Sequence, residues 1–138
     1  MDLNTRILDK RYKAMPVTLH VIRQDVRNVL FEMGLSPNQV DPLVLAINEA
    51  CTNVIEHGYG QQSSGDIIVE AFLNNNEITF QITDFAKSTQ STPVELSHFK
   101  DASSNGLGLH FMQQLMDHIE FTKNTHDNGN VIIMKKTL

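Results

Sequence analysis

Residues 49–59, with the sequence EACTNVIEHGY, lie near the middle of the 138-residue chain and contain its most informative spacing. Glu49, Asn53 and His57 recur every four residues. An α-helix turns by about 100° per residue, so it places all three on one side. The apolar residues before and within the stretch fall on the opposite side. The spacing therefore predicts an amphipathic helix with these groups on a single polar surface.

These three side chains suit metal and proton chemistry. The amide oxygen of Asn53 is a hard ligand suited to Mg²⁺, and the Glu49 carboxylate suits a base or a partner for metal-bound water. His57, beside Gly58, also fits two structural roles, because a histidine in a last turn complements the helix dipole and a glycine forms a C-cap. A solvated helix face is the alternative interpretation of the triplet, since such faces are ordinarily polar.

Apolar periodicity predicts two helices before residue 60. The first covers residues 17–33 and follows Pro16, a favoured first-turn residue. The second begins at the Ser36-Pro37 pair, which reads as an N-cap followed by a proline at the first helical position, and it should stop at Gly58. Ahead of both helices, residues 7–15 fit a short edge strand.

The second half of the chain predicts a sheet. Residues 67–73 and 77–83 alternate as a hairpin joined through three asparagines, and residues 107–116 have helical spacing before two more strands, 119–123 and 131–135. The order indicates one α+β domain over residues 1–138, a two-layer α/β sandwich with helices on one face of a mixed, mostly antiparallel sheet. Residues 85–105 lack a sustained period, and a loop of that length suggests a functional lid.

A second motif, Gly106-Leu107-Gly108-Leu109, opens the predicted third helix. Two glycines let the backbone approach an anion, and the free N–H groups of a helix start donate to phosphate. The alternative is an ordinary helix start that Ser104 or Asn105 caps, with glycines that only permit close packing. The motif is neither a dinucleotide fingerprint nor a P-loop, because it lacks the third glycine and the lysine that those motifs require.

Composition narrows the class of protein. A formal net charge of −5 argues against direct binding of nucleic acid, which requires a basic surface. Cys51 is the only cysteine, so no intramolecular disulfide can form, and its apolar neighbours suit a reducing compartment. Asp2, Arg6 and Asp9 occupy the region that is apolar in a signal peptide, and no stretch approaches the length of a membrane span. We expect a cytoplasmic protein without a membrane segment.

Taken in order, the motifs resemble those of GHKL (Bergerat-fold) ATPases. Residues 49–59 look like the N-box in the form found in anti-sigma-factor serine/threonine kinases, and Gly106-Leu107-Gly108-Leu109 looks like the second glycine box. Between them, residues 78–84 form a strand that ends in Asp84, where the family's first glycine box begins. The resemblance extends over residues 16–138.

The resemblance implies a Bergerat sandwich, ATP and Mg²⁺ as cofactors, and a lid built from residues 85–105. It assigns activation of the attacking group to Glu49, Mg²⁺ coordination to Asn53 and a hydrogen bond with the adenine amino group to Asp84. It also implies a sigma factor and an anti-anti-sigma (STAS-type) protein as partners, a serine or threonine as phosphate acceptor, and a homodimer. The full set of expected nucleotide-binding residues is Asn53, His57, Asp84, Ala86, Lys100, Ser104, Asn105, Gly106, Leu107, Gly108 and Leu109.

The chain departs from the family pattern after Asp84, where Phe85-Ala86 stands in place of a residue followed by glycine. Only Lys87 and Lys100 supply cations between Asp84 and the second glycine box. Two hypotheses follow: a Mg-ATP-dependent protein kinase, or a binding module of the same fold with weak or absent kinase activity. A third, the ATP-binding domain of a histidine kinase, ranks last because 138 residues leave no room for a hairpin with a phospho-acceptor histidine.

Overall fold

The computed structural model describes residues 5–59, 65–86, 112–123 and 129–138, with the backbone alone at 57–59. The predicted lid, the Gly106–Leu109 motif and the first part of the predicted third helix lie outside these residues. Within them, residues 112–115 are helical. The remaining elements in chain order are β1 Thr5–Lys13, α1 Thr18–Glu32, α2 Pro37–Asn53, a π-helix Val54–Tyr59, β2 Asp66–Asn74, β3 Glu77–Asp84, β4 His118–Lys123 and β5 Asn130–Thr137.

The five strands form one sheet in the order β1-β2-β3-β5-β4, and every described pair is antiparallel. The predicted hairpin between β2 and β3 is confirmed, and its turn residue Asn75 has a φ of 55°, a left-handed conformation that asparagine tolerates. The predicted edge strand is also present, but it ends at Lys13 instead of Met15. The chain turns after Lys13, where the N–H of Met15 donates to the carbonyl of Lys13.

The core lies between the sheet and the two helices. Alternate strand residues face the helices and are fully buried, while their neighbours are only partly covered, so the helices pack on one face of the sheet. The buried side chains include Ile22, Val26, Leu30, Leu43, Ile47, Ile67, Val69, Ile78, Phe80, Ile82, Ile132 and Met134. The predicted two-layer α+β sandwich is confirmed. No helix among the described residues is long and apolar enough to cross a membrane.

The start of α2 has the predicted N-cap residue, Ser36, followed by the predicted proline. The backbone N–H of Ser36 donates a 3.0 Å hydrogen bond to Oε1 of Gln39, and Pro37 occupies the first turn. This capping box satisfies a donor that a helix start leaves without an intrahelical acceptor. The helix axis is thereby fixed from its first turn, and its apolar stripe lies on the sheet.

Three paired residues form one row across the sheet that ends at Asp84. Tyr12 pairs with Ile67, and Ile67 pairs with Asp84, so the three lie in line across β1, β2 and β3. Burial and the hydrogen bond to Asp25 raise the pKa of the Tyr12 hydroxyl, and the nearby Cys51 thiol of α2 adds to the rise. Cys51, near the C-terminal end of α2, is fully buried in the core between the helices and the sheet.

Candidate functional site

Asn53 is the last residue of α2, and its side chain is buried, with 6% of the residue exposed. The side-chain nitrogen Nδ2 donates a 3.0 Å hydrogen bond to the backbone carbonyl of Glu49. The alternative interpretation, a solvated helix face, does not hold at Asn53, because this residue is buried. Because the helix backbone accepts a bond from Nδ2, Oδ1 is the side-chain atom left to bind a metal ion.

Glu49 is half-buried, one helical turn before Asn53. Burial raises the pKa of its carboxyl group above the usual value, and the negative charge of Glu56 adds to the rise. A carboxylate with a raised pKa holds a proton more strongly, which makes it a better base near neutral pH. The environment thus matches the role expected for Glu49.

The α-helix does not run to Gly58 as the sequence predicts. It ends at Asn53, and residues Val54–Tyr59 continue as a π-helix. A π-helical turn bonds each N–H to a carbonyl five residues earlier, so His57 does not follow Asn53 at α-helical spacing. The side chain of His57 lies outside the described residues, so its place beside Glu49 and Asn53 stays a prediction. Such π-segments occur frequently at functional sites.

Asp84 ends β3 and is 1% exposed. Its Oδ1 accepts hydrogen bonds from the backbone N–H groups of Ala86 at 3.0 Å and Asn130 at 3.1 Å. Burial raises the pKa of the Asp84 carboxyl group, and these hydrogen bonds, which favour the charged form, only partly offset the rise. The structure thus holds a buried carboxyl group in a fixed orientation, which suits recognition of a donor on a buried ligand.

Ala86, where the chain departs from the family pattern, is 2% exposed and directly follows this hydrogen-bonded turn. Asn75 is the only non-glycine residue with positive φ in the described ranges, so the backbone at Ala86 has negative φ. A β-carbon is compatible with that conformation. The loop has therefore taken a course that does not need glycine at this position.

Sequence reasoning missed two residues beside Asp84. Gly129 has a φ of 135°, and a β-carbon there would overlap the Asp84 backbone and lie 2.8 Å from the Cα of Phe85. Asn130, the first residue of β5, is 4% exposed, and its Oδ1 has no hydrogen-bond partner. The glycine at position 129 is visible in the sequence just before β5 and could have indicated a tight turn. No neighbouring residue distinguishes Asn130 from an ordinary strand residue.

Other predicted site residues fall outside the described parts of the chain. These are Lys100, Ser104, Asn105, Gly106, Leu107, Gly108 and Leu109, and their roles stay predictions. The described part of the site therefore consists of the end of α2 with its base and metal-ligand candidates, and the buried acceptor cluster where β3 and β5 meet.

This arrangement of a two-layer sandwich with an asparagine-bearing helix and a buried aspartate agrees with the family comparison. The model of the histidine kinase-like ATPase domain matches residues 12–136, and the chain belongs to this family. Among curated proteins, it is similar to the serine-protein kinase RsbW of Bacillus velezensis, with 27% identity over 146 residues that cover 100% of this chain and 89% of the relative. RsbW of Bacillus cereus is 29% identical over 137 residues, which cover 94% of this chain and 83% of the relative.

Solved structures share the fold. A structure of RsbU and RsbW domains from Mycobacterium tuberculosis matches with a TM-score of 0.70 and 20% identity, covering 97% of this chain and 32% of that longer one. The SiaB-SiaC complex from Pseudomonas aeruginosa matches with a TM-score of 0.62 and 13% identity, covering 96% of this chain and 89% of that one. The predicted resemblance to anti-sigma-factor kinases is confirmed by the RsbW relatives.

Proposed function

We propose that this protein is an anti-sigma factor that uses Mg-ATP to phosphorylate a serine or threonine of a STAS-type anti-anti-sigma partner. The observation that carries the proposal is the buried carboxyl group of Asp84 at the end of β3, held by two backbone N–H groups. A buried acceptor in a fixed orientation suits the amino group of adenine. The similarity to RsbW kinases supports the choice of substrate.

Two residues near the end of α2 have the remaining roles, which are metal binding and proton transfer. Asn53 offers Oδ1 to Mg²⁺ while its nitrogen stays bonded to Glu49, and Glu49 orients the incoming hydroxyl and takes its proton. Bound Mg-ATP supplies the γ-phosphoryl group, which forms a bond to the acceptor oxygen as its bond to the bridging oxygen of ADP breaks. Burial around Glu49 keeps its pKa raised and favours acceptance of that proton.

The partners belong to the same proposal. The name of the SiaB-SiaC complex describes an assembly of a protein with this fold, and the RsbW relatives are named as serine-protein kinases. We propose a sigma factor and a STAS-type protein as alternative partners, a homodimer as the working assembly, and the cytoplasm as the compartment. In this scheme, phosphorylation of the STAS-type protein releases it and leaves the kinase free to hold the sigma factor.

A binding module without kinase activity is the second candidate. The sequence at Ala86 favours it, because alanine with negative φ stands where the family's first glycine box has glycine. In that case, the protein would bind its partners through the same fold, and nucleotide would be weakly held or absent.

One experiment separates the two candidates. The full chain is incubated with radiolabelled ATP, Mg²⁺ and a purified STAS-domain protein encoded nearby, and phosphate on that protein is measured. The kinase proposal requires transfer that depends on Mg²⁺ and is lost in Glu49→Gln. A stable complex with the STAS-domain protein and no transfer would support the binding module instead.

A further inference from the structure

The side chain of Arg11 links the edge strand β1 to the turn that follows β3. Its guanidinium carbon Cζ lies 5.0 Å from the centre of the Phe85 ring, which is a cation–π contact. Its Nε donates a 2.7 Å hydrogen bond to Oδ2 of Asp66, the first residue of β2. One side chain therefore connects the start of β2 and the end of β3 with the edge of the sheet.

The sheet register explains why these side chains meet. Ile67 on β2 is buried in the core and pairs with Asp84 on β3. Successive residues of a strand point to opposite faces, so Asp66, directly before Ile67, points away from the helices. Phe85 directly follows Asp84 and continues the chain beside Asp66. Arg11 reaches both side chains from the neighbouring strand.

The Asp66 carboxylate holds the guanidinium group in place. The hydrogen bond from Arg11 lowers the pKa of Asp66 below its usual value, so this carboxylate is charged at neutral pH. The Nζ of Lys13 lies 3.3 Å from Oδ1, the other oxygen of the same carboxylate. Asp66 therefore keeps a cationic partner when Arg11 is replaced, and such a replacement leaves no bare charge.

Phe85 is the middle residue of the turn that carries the candidate adenine acceptor. The N–H of Ala86 closes this turn with a 3.0 Å hydrogen bond to Oδ1 of Asp84. At these positions the family has any residue followed by glycine, whereas this chain has an aromatic residue followed by alanine. A contact that holds the ring of Phe85 also restricts the backbone on both sides of it. A site that is ordered before its ligand arrives loses less conformational entropy on binding.

We propose that Arg11 is a positioning residue for nucleotide binding, which holds Phe85 from the edge strand and thereby keeps the Asp84 carboxyl group oriented. The inference rests on the proposed nucleotide site. Arg11 acts through Phe85 in this scheme and makes no contact with the nucleotide. The strength of an exposed cation–π contact corresponds to a change of about twofold to fivefold in an equilibrium constant, which sets the expected effect on ATP affinity.

The test is a double-mutant cycle on the full chain. Dissociation constants of ATP are measured by calorimetry with excess Mg²⁺ for the unaltered protein, Arg11→Met, Phe85→Leu and the double variant. Arg6→Met is the control, because Arg6 lies on the same strand and forms ion pairs with Asp9 and Glu70 instead. Phe85→Tyr, which keeps a ring beside the guanidinium, is the conservative variant. Phe85→Met replaces the leucine variant if thermal unfolding shows that the latter is not folded.

Each of Arg11→Met and Phe85→Leu should weaken ATP binding by about twofold to fivefold. The double variant should bind no more weakly than either one, because both substitutions remove the same contact. Phe85→Tyr and Arg6→Met should bind ATP as the unaltered protein does.

Three results would overturn the inference and leave the nucleotide site standing: losses that add in the double variant, unchanged affinity in both single variants, or an equal loss in Arg6→Met or Phe85→Tyr. Failure of the unaltered protein to bind ATP would overturn the proposed kinase function together with the inference.

Discussion

The side-chain nitrogen of Asn53 donates a 3.0 Å hydrogen bond to the backbone carbonyl of Glu49, one turn earlier in α2. This bond ties the orientation of the candidate metal ligand to the position of the candidate base. Any metal ion on Oδ1 of Asn53 is therefore set at a defined place relative to the Glu49 backbone. The bond also satisfies a buried nitrogen just before the chain changes from α-helix to π-helix.

Replacement of Glu49 by glutamine should separate chemistry from binding. The substitution keeps side-chain volume and removes the carboxylate, so phosphate transfer to the STAS-type partner should fall by about 100-fold or more. Affinity for the partner should persist. Transfer is measured with radiolabelled ATP, and Glu77→Gln, at the start of β3, serves as control. An unchanged transfer rate in Glu49→Gln would show that Glu49 is only part of a solvated helix face.

Asn53→Ala should remove Mg²⁺-dependent nucleotide binding. Even supporting residues around a metal typically contribute about 10- to 100-fold in affinity, and loss of a direct ligand should cost at least as much. Loss of the hydrogen bond to Glu49 should also lower the free energy of unfolding by about 1 kcal/mol.

Calorimetric ATP titrations with Mg²⁺ and with a chelator measure the binding effect of Asn53→Ala, and urea unfolding measures the change in stability. Asn38→Ala, at the exposed start of the same helix, is the control. Unaltered affinity in Asn53→Ala would remove this residue from the site.

Asp84→Asn should abolish selective adenine binding and change the dependence of stability on pH. The pKa of Asp84 is raised in the folded protein, so the folded state binds this proton more tightly than the unfolded state. Its contribution to stability is fully present below the ordinary pKa of 3.8 and is lost as the pH rises through the higher folded value. Asparagine keeps an Oδ1 acceptor for the N–H groups of Ala86 and Asn130. Because its amide does not ionise, the variant should not lose stability in this way as the pH rises.

Urea unfolding of the ligand-free proteins across acidic and neutral pH measures the effect of Asp84→Asn. The variant should lose less stability than the unaltered protein as the pH rises over this window. Parallel pH profiles for the two proteins would contradict the raised pKa and the buried state of this carboxyl group.

Ala86→Gly should not improve nucleotide binding. The sequence leaves two outcomes open: a strained alanine that glycine would relieve, or a loop that has relaxed to negative φ. The structure has negative φ at Ala86, so the substitution should lower stability by about 0.5–1 kcal/mol through greater freedom of the unfolded chain. ATP affinity should be equal or weaker in calorimetric titrations at one Mg²⁺ concentration. Binding up to about tenfold tighter would restore the strained interpretation.

The elements and their order follow from the sequence alone, because helix and strand periods are local properties. Alternation at β2 and β3, the capping pair Ser36-Pro37 and the apolar stripe of α2 each involve residues within a few positions of one another. The same local spacing placed Glu49 and Asn53 on one helix and Asp84 at the end of a strand. The resemblance to the kinase family then depended on the order of these motifs.

The tertiary structure decided what depends on distant segments. Tertiary packing buries Asn53, which its sequence neighbours do not reveal, and the α-helix changes to a π-helix at Val54, before its predicted end at Gly58. Insertion of β5 between β3 and β4 brings Asn130 against Asp84, 46 residues away in sequence. Local periodicity contains no information about such a contact, because hydrogen bonds between strands form only after the sheet order has been set.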